Sequence, residues 1–494
     1  MSHIGADPWI SHCWGGGIRW ATTTASRCRE RVPAPDNSTN VPRAWPQQGM
    51  VPVILSPDGG GVQRRPAGAV DRPRILISNG FNRFFLANLA AGLRQREWDV
   101  ELVTGAYPLG TTATILRSLP LRRSYRLGRL EDRRVGIEPD RVHADFASEL
   151  VQRTGQVLRS KGAVRLGAAL EVVGFGLAGL RAARTVRRAR PLAVYHFRSG
   201  FGIQSLEAAR RRGIPAICDH SIVHPATLEP LTQNGGRLPV GWVPSRPRGV
   251  WRLVLHDIER ADWVVVNSDF VRETFEWAGF DTSRVRVVYA GVEAEFVDSI
   301  PERDPETDKG PLRLLFAGEI GQRKGADVLF RALSTLKGVD WKLDLIGTIT
   351  PAIAAGWSKF LRDPRVVRHG AVRIRELAAL MSRAEVFVFP SLAEGSARVV
   401  AMAMAAGCYV VTTPNSGSVV QEGIHGRLVP PGDHHALAAT LMEIADRRGP
   451  LLPIGRANAD LIRREYLVEH YVDRVISFYN EVLGLTGEPW PLRG

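Results

Sequence analysis

Cysteine is almost missing from this chain of 494 residues. The four present, Cys13, Cys28, Cys218 and Cys408, are too scattered for a disulfide framework or for metal-ligand spacing, and such usage suits a reducing compartment. Long apolar runs are also lacking, since no uncharged stretch reaches the ~18 residues a bilayer-spanning helix needs. Residues Met1 to Trp20 carry neither a basic start nor an apolar core, so no secretory leader is expected. No repeat with a period of about 20–50 residues is visible, which excludes a solenoid. What remains is 44% hydrophobic, enough for packed cores. A single core stops growing near ~250–300 residues, so two or three domains are expected.

Lys and Arg number 65 against 50 Asp and Glu, and the surplus is local. Residues 117–190 hold 17 basic and 7 acidic side chains, a net +10 of the chain's +15. Arg122, Arg123 and Arg126 form one cluster; five arginines between Arg181 and Arg190 form another, directly after the apolar stretch Val172 to Leu180. A helix with that composition suits an anionic membrane surface, or equally a buried helix with a solvated charged end. No helix-turn-helix, zinc or RNA-binding pattern accompanies the charge, so nucleic acid is not expected as a partner.

Residues 1–70 contain 17 of the 81 glycines and prolines and read as a disordered tail. From residue 71 the pattern becomes strand–helix–strand: strands at 74–78, 100–103, 193–196, 215–218, 263–267 and 285–288 alternate with helices at 84–96, 203–212 and 270–277. A charged, Pro-containing linker follows at 299–310. A second series then runs over 311–450, with strands at 313–316, 342–346, 386–389 and 409–412 and helices at 326–336, 374–384, 396–406 and 436–447. A last helix at 468–482 falls in the C-terminal segment 451–494. This spells an α/β protein of two doubly wound domains, which bind ligands at the carboxyl ends of their strands.

In the second domain the residues cease to be generic. Arg323-Lys324-Gly325 follows a strand and opens a helix, a clamp suited to a diphosphate. Pro390-Ser391-Leu392-Ala393-Glu394-Gly395-Ser396-Ala397-Arg398 sits at another strand-to-helix turn, where backbone N–H groups can meet hydroxyl or phosphate oxygens and Glu394 can accept from sugar hydroxyls.

The ordered series Gly318, Arg323-Lys324-Gly325, Pro390-Ser-Leu-x-Glu394-Gly395, Ala403-Met-Ala-x-Gly407 and Gly426-x-Leu-Val-Pro-Pro-Gly-Asp433 resembles the family 4 retaining glycosyltransferases. In the first domain, Ala261 to Ser268 and Val287 to Glu293 add to the likeness. The resemblance implies the GT-B fold: two facing Rossmann-like domains with the C-terminal helices of 451–494 crossing back to the first. It implies a hexosyltransferase-type enzyme that moves sugar from a nucleotide-diphosphate-sugar to a glycan or lipid-linked acceptor with retention, without metal or other cofactor, in cell-surface polysaccharide or glycolipid synthesis. The implied location is the cytoplasm, peripheral on the inner face of the membrane.

By the same resemblance Arg323, Lys324, Glu394 and His220 are the catalytic candidates. Gly80, Gly318, Gly395, Ser396, Ala397, Arg398 and Met402 join them around the donor, and His196 and His224 are further candidates. One departure matters: the family carries a second Glu eight positions after the first, on the nucleotide ribose, and here that position is Met402. Two other readings share these features. One is a catalytically weak homologue that binds nucleotide sugar, and the other is a nucleotide-sugar epimerase.

Overall fold

The computed structural model describes residues 73–81, 85–108, 133–303 and 310–485. The expectations for residues 1–70, for the Arg122–Arg126 cluster and for the inner part of the 299–310 linker lie outside the described residues.

The first domain runs β1 (Ile75–Gly80), α1 (Phe85–Gln95), β2 (Val100–Thr104), β3 (Val142–Ala144), α2 (Phe146–Ser160), α3 (Val164–Arg188), β4 (Val194–Arg198), α4 (Ile203–Arg210) and β5 (Ala216–His220). It continues through α5 (Leu228–Gln233), α6 (Val250–Arg260), β6 (Trp263–Val266), α7 (Asp269–Trp277), β7 (Val285–Val287) and α8 (Ala294–Asp298). Its strands form one parallel sheet in the order β3-β2-β1-β4-β5-β6-β7. Every residue of β1, β4 and β5 is buried, as expected for strands covered by helices on both faces.

The second domain runs β8 (Leu312–Ala317), α9 (Ala326–Thr335), β9 (Trp341–Ile346), α10 (Pro351–Gly356), β10 (Val366–Gly370), α11 (Ile374–Arg383), β11 (Val386–Phe389), α12 (Arg398–Ala405), β12 (Tyr409–Thr412), β13 (Gly426–Leu428) and α13 (His434–Asp446). Its parallel sheet has the order β10-β9-β8-β11-β12-β13. In both sheets the order reverses beside the first strand, and the crevice that this opens at the carboxyl ends is where ligands of such folds bind.

The chain ends with α14 (Leu451–Glu465) and α15 (Val468–Val482). Only the second crosses back. Tyr471, Val472, Val475, Phe478 and Tyr479 of α15 lie in the core of the first domain, whereas Leu451 and Ile462 of α14 pack in that of the second. The crossing is pinned by Val468 N–H donating to Val292 O (3.0 Å) and Val292 N–H donating to Tyr466 O (2.7 Å).

The apolar stretch 172–180 and four of its five arginines belong to a single 25-residue helix, α3, paired with α2; Arg190 lies just past its end. By length and composition α3 could cross a membrane. It instead packs against α4, α6, β1 and β2. Its glycines disguised it in the sequence, because each lowers helix propensity by about 1 kcal/mol. The fold uses them for close approach: a Cβ at Gly167 would lie 2.5 Å from Gly155 O, and one at Gly174 2.8 Å from Gln152 N. Strands β3, β10 and β13 were not expected from the sequence; the first and last are only three residues long, and β10 is mostly exposed and lacks an apolar run.

Candidate functional site

The site begins where β8 ends. Gly318 has φ +133, and a Cβ there would press on Lys324 Cδ at 3.3 Å, so the bare backbone lets the lysine stem cross the strand end. Gly325, at φ +75, is the N-cap of α9. A Cβ on it would lie 1.9 Å from Pro390 O, which no side chain could tolerate. The loop after β11 therefore lies directly on the start of α9, tied by Leu392 N–H and Ser391 Oγ donating to Arg323 O (2.8 and 3.2 Å).

That contact brings three charges together. Arg323 Nη1 and Lys324 Nζ both donate to one oxygen of Glu394, Oε1, at 2.6 and 2.7 Å, and Arg323 Nη1 also donates to Ala393 O at 2.7 Å. Their side chains are only 9–12% exposed. Burial alone would raise the Glu394 pKa, but the Arg323 and Lys324 charges outweigh it and hold the carboxyl below its ordinary value. Burial lowers the Lys324 pKa, with Glu394 pulling the other way. Two cations share one carboxylate oxygen, and the N-terminal end of the α9 dipole adds to the positive potential there. Such a place stabilises a polyanion.

The residues beside Glu394 rest on the first domain. Ala393 packs with Ile222, Val223, Leu228, Leu231 and Phe270. A Cβ on Gly395 would sit 2.0 Å from Ser221 O, and Ser268 Oγ donates to Gly395 O at 2.6 Å. Asn415 Nδ2 bridges the domains, donating to Leu392 O (2.8 Å) and Gly236 O (2.6 Å). Ser396 is half-buried, and Ala397, the N-cap of α12, donates its N–H to Ser416 O at 2.9 Å.

Four sequence candidates are placed elsewhere. Met402 is fully buried in the apolar core of the second domain, so it lines no polar surface that could meet a ribose. The Arg398 guanidinium is turned to the first domain, onto Glu293 (2.5 and 2.7 Å) and over the Phe85 ring at 4.8 Å. His196 is fully buried with Nδ1 2.7 Å from Tyr479 Oη on α15, and burial pulls its pKa down to about 3. His224 is a buried loop residue against the Phe275 ring, its pKa lowered by burial to about 4.

His220 ends β5 beside the domain junction, yet it is 1% exposed, with Nδ1 3.0 Å from Ser199 Oγ. Burial, then the Arg198 charge, lower its pKa to about 3, so it is neutral. Gly80 ends β1 at φ +77, where a Cβ would lie 2.5 Å from the Phe201 ring.

Sequence reasoning missed Arg198, at the end of β4. It is 7% exposed and bonds Asp219 Oδ1 (2.8 Å) and Ser221 Oγ (2.6 Å), steadying the segment that receives Gly395. An arginine closing a buried strand was the available signal. Ser268 and Asn415, which stitch the domains, carried none.

Two family models match this chain: "Glycosyltransferase Family 4" over residues 79–296 and "Glycosyl transferases group 1" over 311–447. The D-inositol 3-phosphate glycosyltransferase of Pseudarthrobacter chlorophenolicus is 30% identical over 275 residues, covering 52% of this chain and 63% of the relative. The amylovoran biosynthesis glycosyltransferase AmsK of Erwinia amylovora is 28% identical over 204 residues, covering 38% and 48%. The matches therefore span about half to under two thirds of these relatives. Among solved structures, Anabaena HepE in complex with UDP and glucose superposes with TM-score 0.55 at 15% identity, covering 83% of this chain and 100% of its own. Sucrose-phosphate synthase from Thermosynechococcus elongatus gives 0.55 at 16%, covering 84% and 100%. At such identities the likeness is one of fold, the two-domain GT-B architecture.

Proposed function

Since the chain belongs to glycosyltransferase family 4, we propose that it transfers a hexose from a nucleoside-diphosphate sugar to an acceptor hydroxyl with retention of anomeric configuration. The convergence of Arg323 and Lys324 on Glu394 Oε1 carries this reading. As the bond between the sugar C1 and the diphosphate oxygen breaks, its electron pair stays on the phosphate, and charge grows where the two cations stand. Preorganised cations in a nearly dry site stabilise that charge without reorganising. The acceptor oxygen bonds to C1 on the face that the diphosphate leaves, and its proton passes to the departing phosphate oxygen. The products are a glycoside and a nucleoside diphosphate. Glu394 holds the cations in place and accepts from the sugar hydroxyls. With arginine and lysine supplying the positive charge, the reaction needs no metal.

The HepE complex with UDP and glucose supports a uridine-type donor, and the relative named for amylovoran biosynthesis supports a glycan or lipid-linked acceptor in cell-surface polysaccharide assembly. The place of work in this reading is the cytoplasm, at the inner face of the membrane. Incubation with labelled nucleotide sugars and lipid or glycan acceptors tests it, with EDTA present throughout. Lys324→Ala should slow release of nucleoside diphosphate by about 10²–10³-fold, and Glu394→Ala by at least as much. Unchanged transfer by both variants would overturn the site.

The buried Met402 favours a second reading, a protein that binds nucleotide sugar without turning it over. A donor that raises the melting temperature yet yields neither glycoside nor free nucleotide would support that one.

A further inference from the structure

On the edge of the first sheet opposite the interdomain crevice, at the amino ends of β1, β2 and β3, lies a cavity of 260 Å³. The C-terminal turns of α3 close it, and Arg74, Arg181, Arg184, Arg188 and Arg190 line it. Of these Arg74 is neutralised by Asp99 (2.6 Å), with Glu101 also within 3.3 Å, and Glu101 is further engaged by His143 (2.9 Å). Among the described residues Arg181, Arg184, Arg188 and Arg190 have no carboxylate within ion-pair distance, and Arg181 Nε is buried without a hydrogen-bond partner. Five arginines line the cavity against one lining carboxylate, Glu101, and Arg184, Arg188 and Arg190 are exposed there, so the rim carries an excess of positive charge. An anion with several acceptor oxygens offsets that excess and completes the buried donor.

The same helix supplies a second, independent feature. Leu166, Val173, Leu177, Leu180, Arg184 and Arg188 fall at i, i+7, i+11, i+14, i+18 and i+22, one face of α3, about 33 Å long at 1.5 Å per residue. The first four are 38–57% exposed. Phe146, Leu150 and Val157 form a matching stripe on α2, 43–67% exposed. With Val164, this helical pair carries eight of the fifteen large hydrophobic side chains exposed among the described residues. The α3 stripe is thus apolar for about 21 Å and then basic, ending in the arginine cavity.

We propose that the cavity binds the phosphate of an anionic phospholipid head group, seated there while the apolar stripe of α3 lies in the bilayer interface. The opposite charge of the arginines selects the anionic lipid, and the stripe beside them selects a lipid over a soluble phosphate. The proposal rests on the membrane-facing part of the reading above but not on the chemistry of the cleft.

Sedimentation of the full chain with vesicles tests it, using phosphatidylcholine alone or mixed with an equal part of phosphatidylglycerol. The wild type should partition onto the mixed vesicles. Arg184→Gln with Arg188→Gln should weaken this about tenfold or more, each charge near such a surface being worth about 1 kcal/mol. Val173→Asp, at an exposed position, should weaken it without lowering the melting temperature. Both variants should keep wild-type transfer to a soluble acceptor, which separates failure here from failure of the cleft assignment.

Equal partition of wild type and arginine variant onto the mixed vesicles overturns the proposal. So does tight calorimetric binding of pyrophosphate, lost in the arginine variant, by a protein that ignores vesicles, since that identifies a soluble-anion site. A dimer in equilibrium sedimentation that Val173→Asp splits, again without vesicle binding, assigns the stripe to a second copy of the chain.

Discussion

At the carboxyl edge of the first sheet, His220 is neutral against Ser199, and Arg198 is matched by Asp219. At the same edge of the second sheet, Arg323 and Lys324 converge on a single carboxylate oxygen at the start of a helix. Both groups are buried, so burial does not separate them. The balance of charge does. A one-to-one pair stiffens a strand end, whereas two cations on one carboxylate oxygen at a helix start favour an anion.

The sharpest way to break this contrast is Met402→Glu, which puts a carboxylate into the second domain where no cation waits. Met402 is fully buried in the apolar core, and keeping a carboxyl protonated there at pH 7 costs about 4 kcal/mol. The variant should lose that much stability in urea titration, without tighter donor binding, while Met402→Leu should cost less than about 1.5 kcal/mol.

Next comes Gly395→Ala, whose methyl would strike Ser221 O at 2.0 Å. It should push the domains apart, enlarging the radius of gyration in small-angle scattering and cutting transfer. Its stability cost should be about 1–3 kcal/mol, as for other overpacked positions.

The buried histidines offer a measurement over pH. Their folded pKa values lie below the ordinary 6.5, so below pH 6.5 the unfolded chain takes up protons that the folded chain refuses. Stability is present above 6.5 and falls as pH drops, by roughly 1.4 kcal/mol per unit per histidine. His196→Asn should flatten the slope between pH 6 and 5 by about that amount, at some cost in stability at pH 7. Glu394, held low by its cations, adds a loss only below the ordinary carboxylate range.

The smallest effect is Arg398→Ala. Its pair with Glu293 is 36% and 25% exposed, so solvent screens it and the loss should stay below about 1 kcal/mol.

The sequence disclosed the second domain better than the first for a physical reason. A turn that must pass a backbone under another needs glycine, as at Gly318 and Gly325, and two adjacent cations before such a glycine have few structural uses. The doubly wound α/β architecture was legible from alternating strands and helices, and over 311–450 the structure moves the ends of those expected by only a few residues, while GT-B came from the motif resemblance. Histidines are ambiguous on the page because a neutral imidazole packs in a core as readily as it serves a site, and His196 and His224 are core and loop residues of the first domain. The position of Arg398 was legible, but not the direction of its side chain, which is set by Glu293 more than a hundred residues earlier. Nor could spacing reveal that Met402 would fill a hydrophobic core.

The crossing of α15 has a consequence for synthesis. Five of its side chains wall the core of the first domain, yet α15 leaves the ribosome about 170 residues after α8. At roughly 5–20 residues per second, the first domain waits about 9–34 s with that flank of its core uncovered, through the emergence of the entire second domain. Folding in the cell is then not strictly N-terminal first: the domain made first is the one finished last.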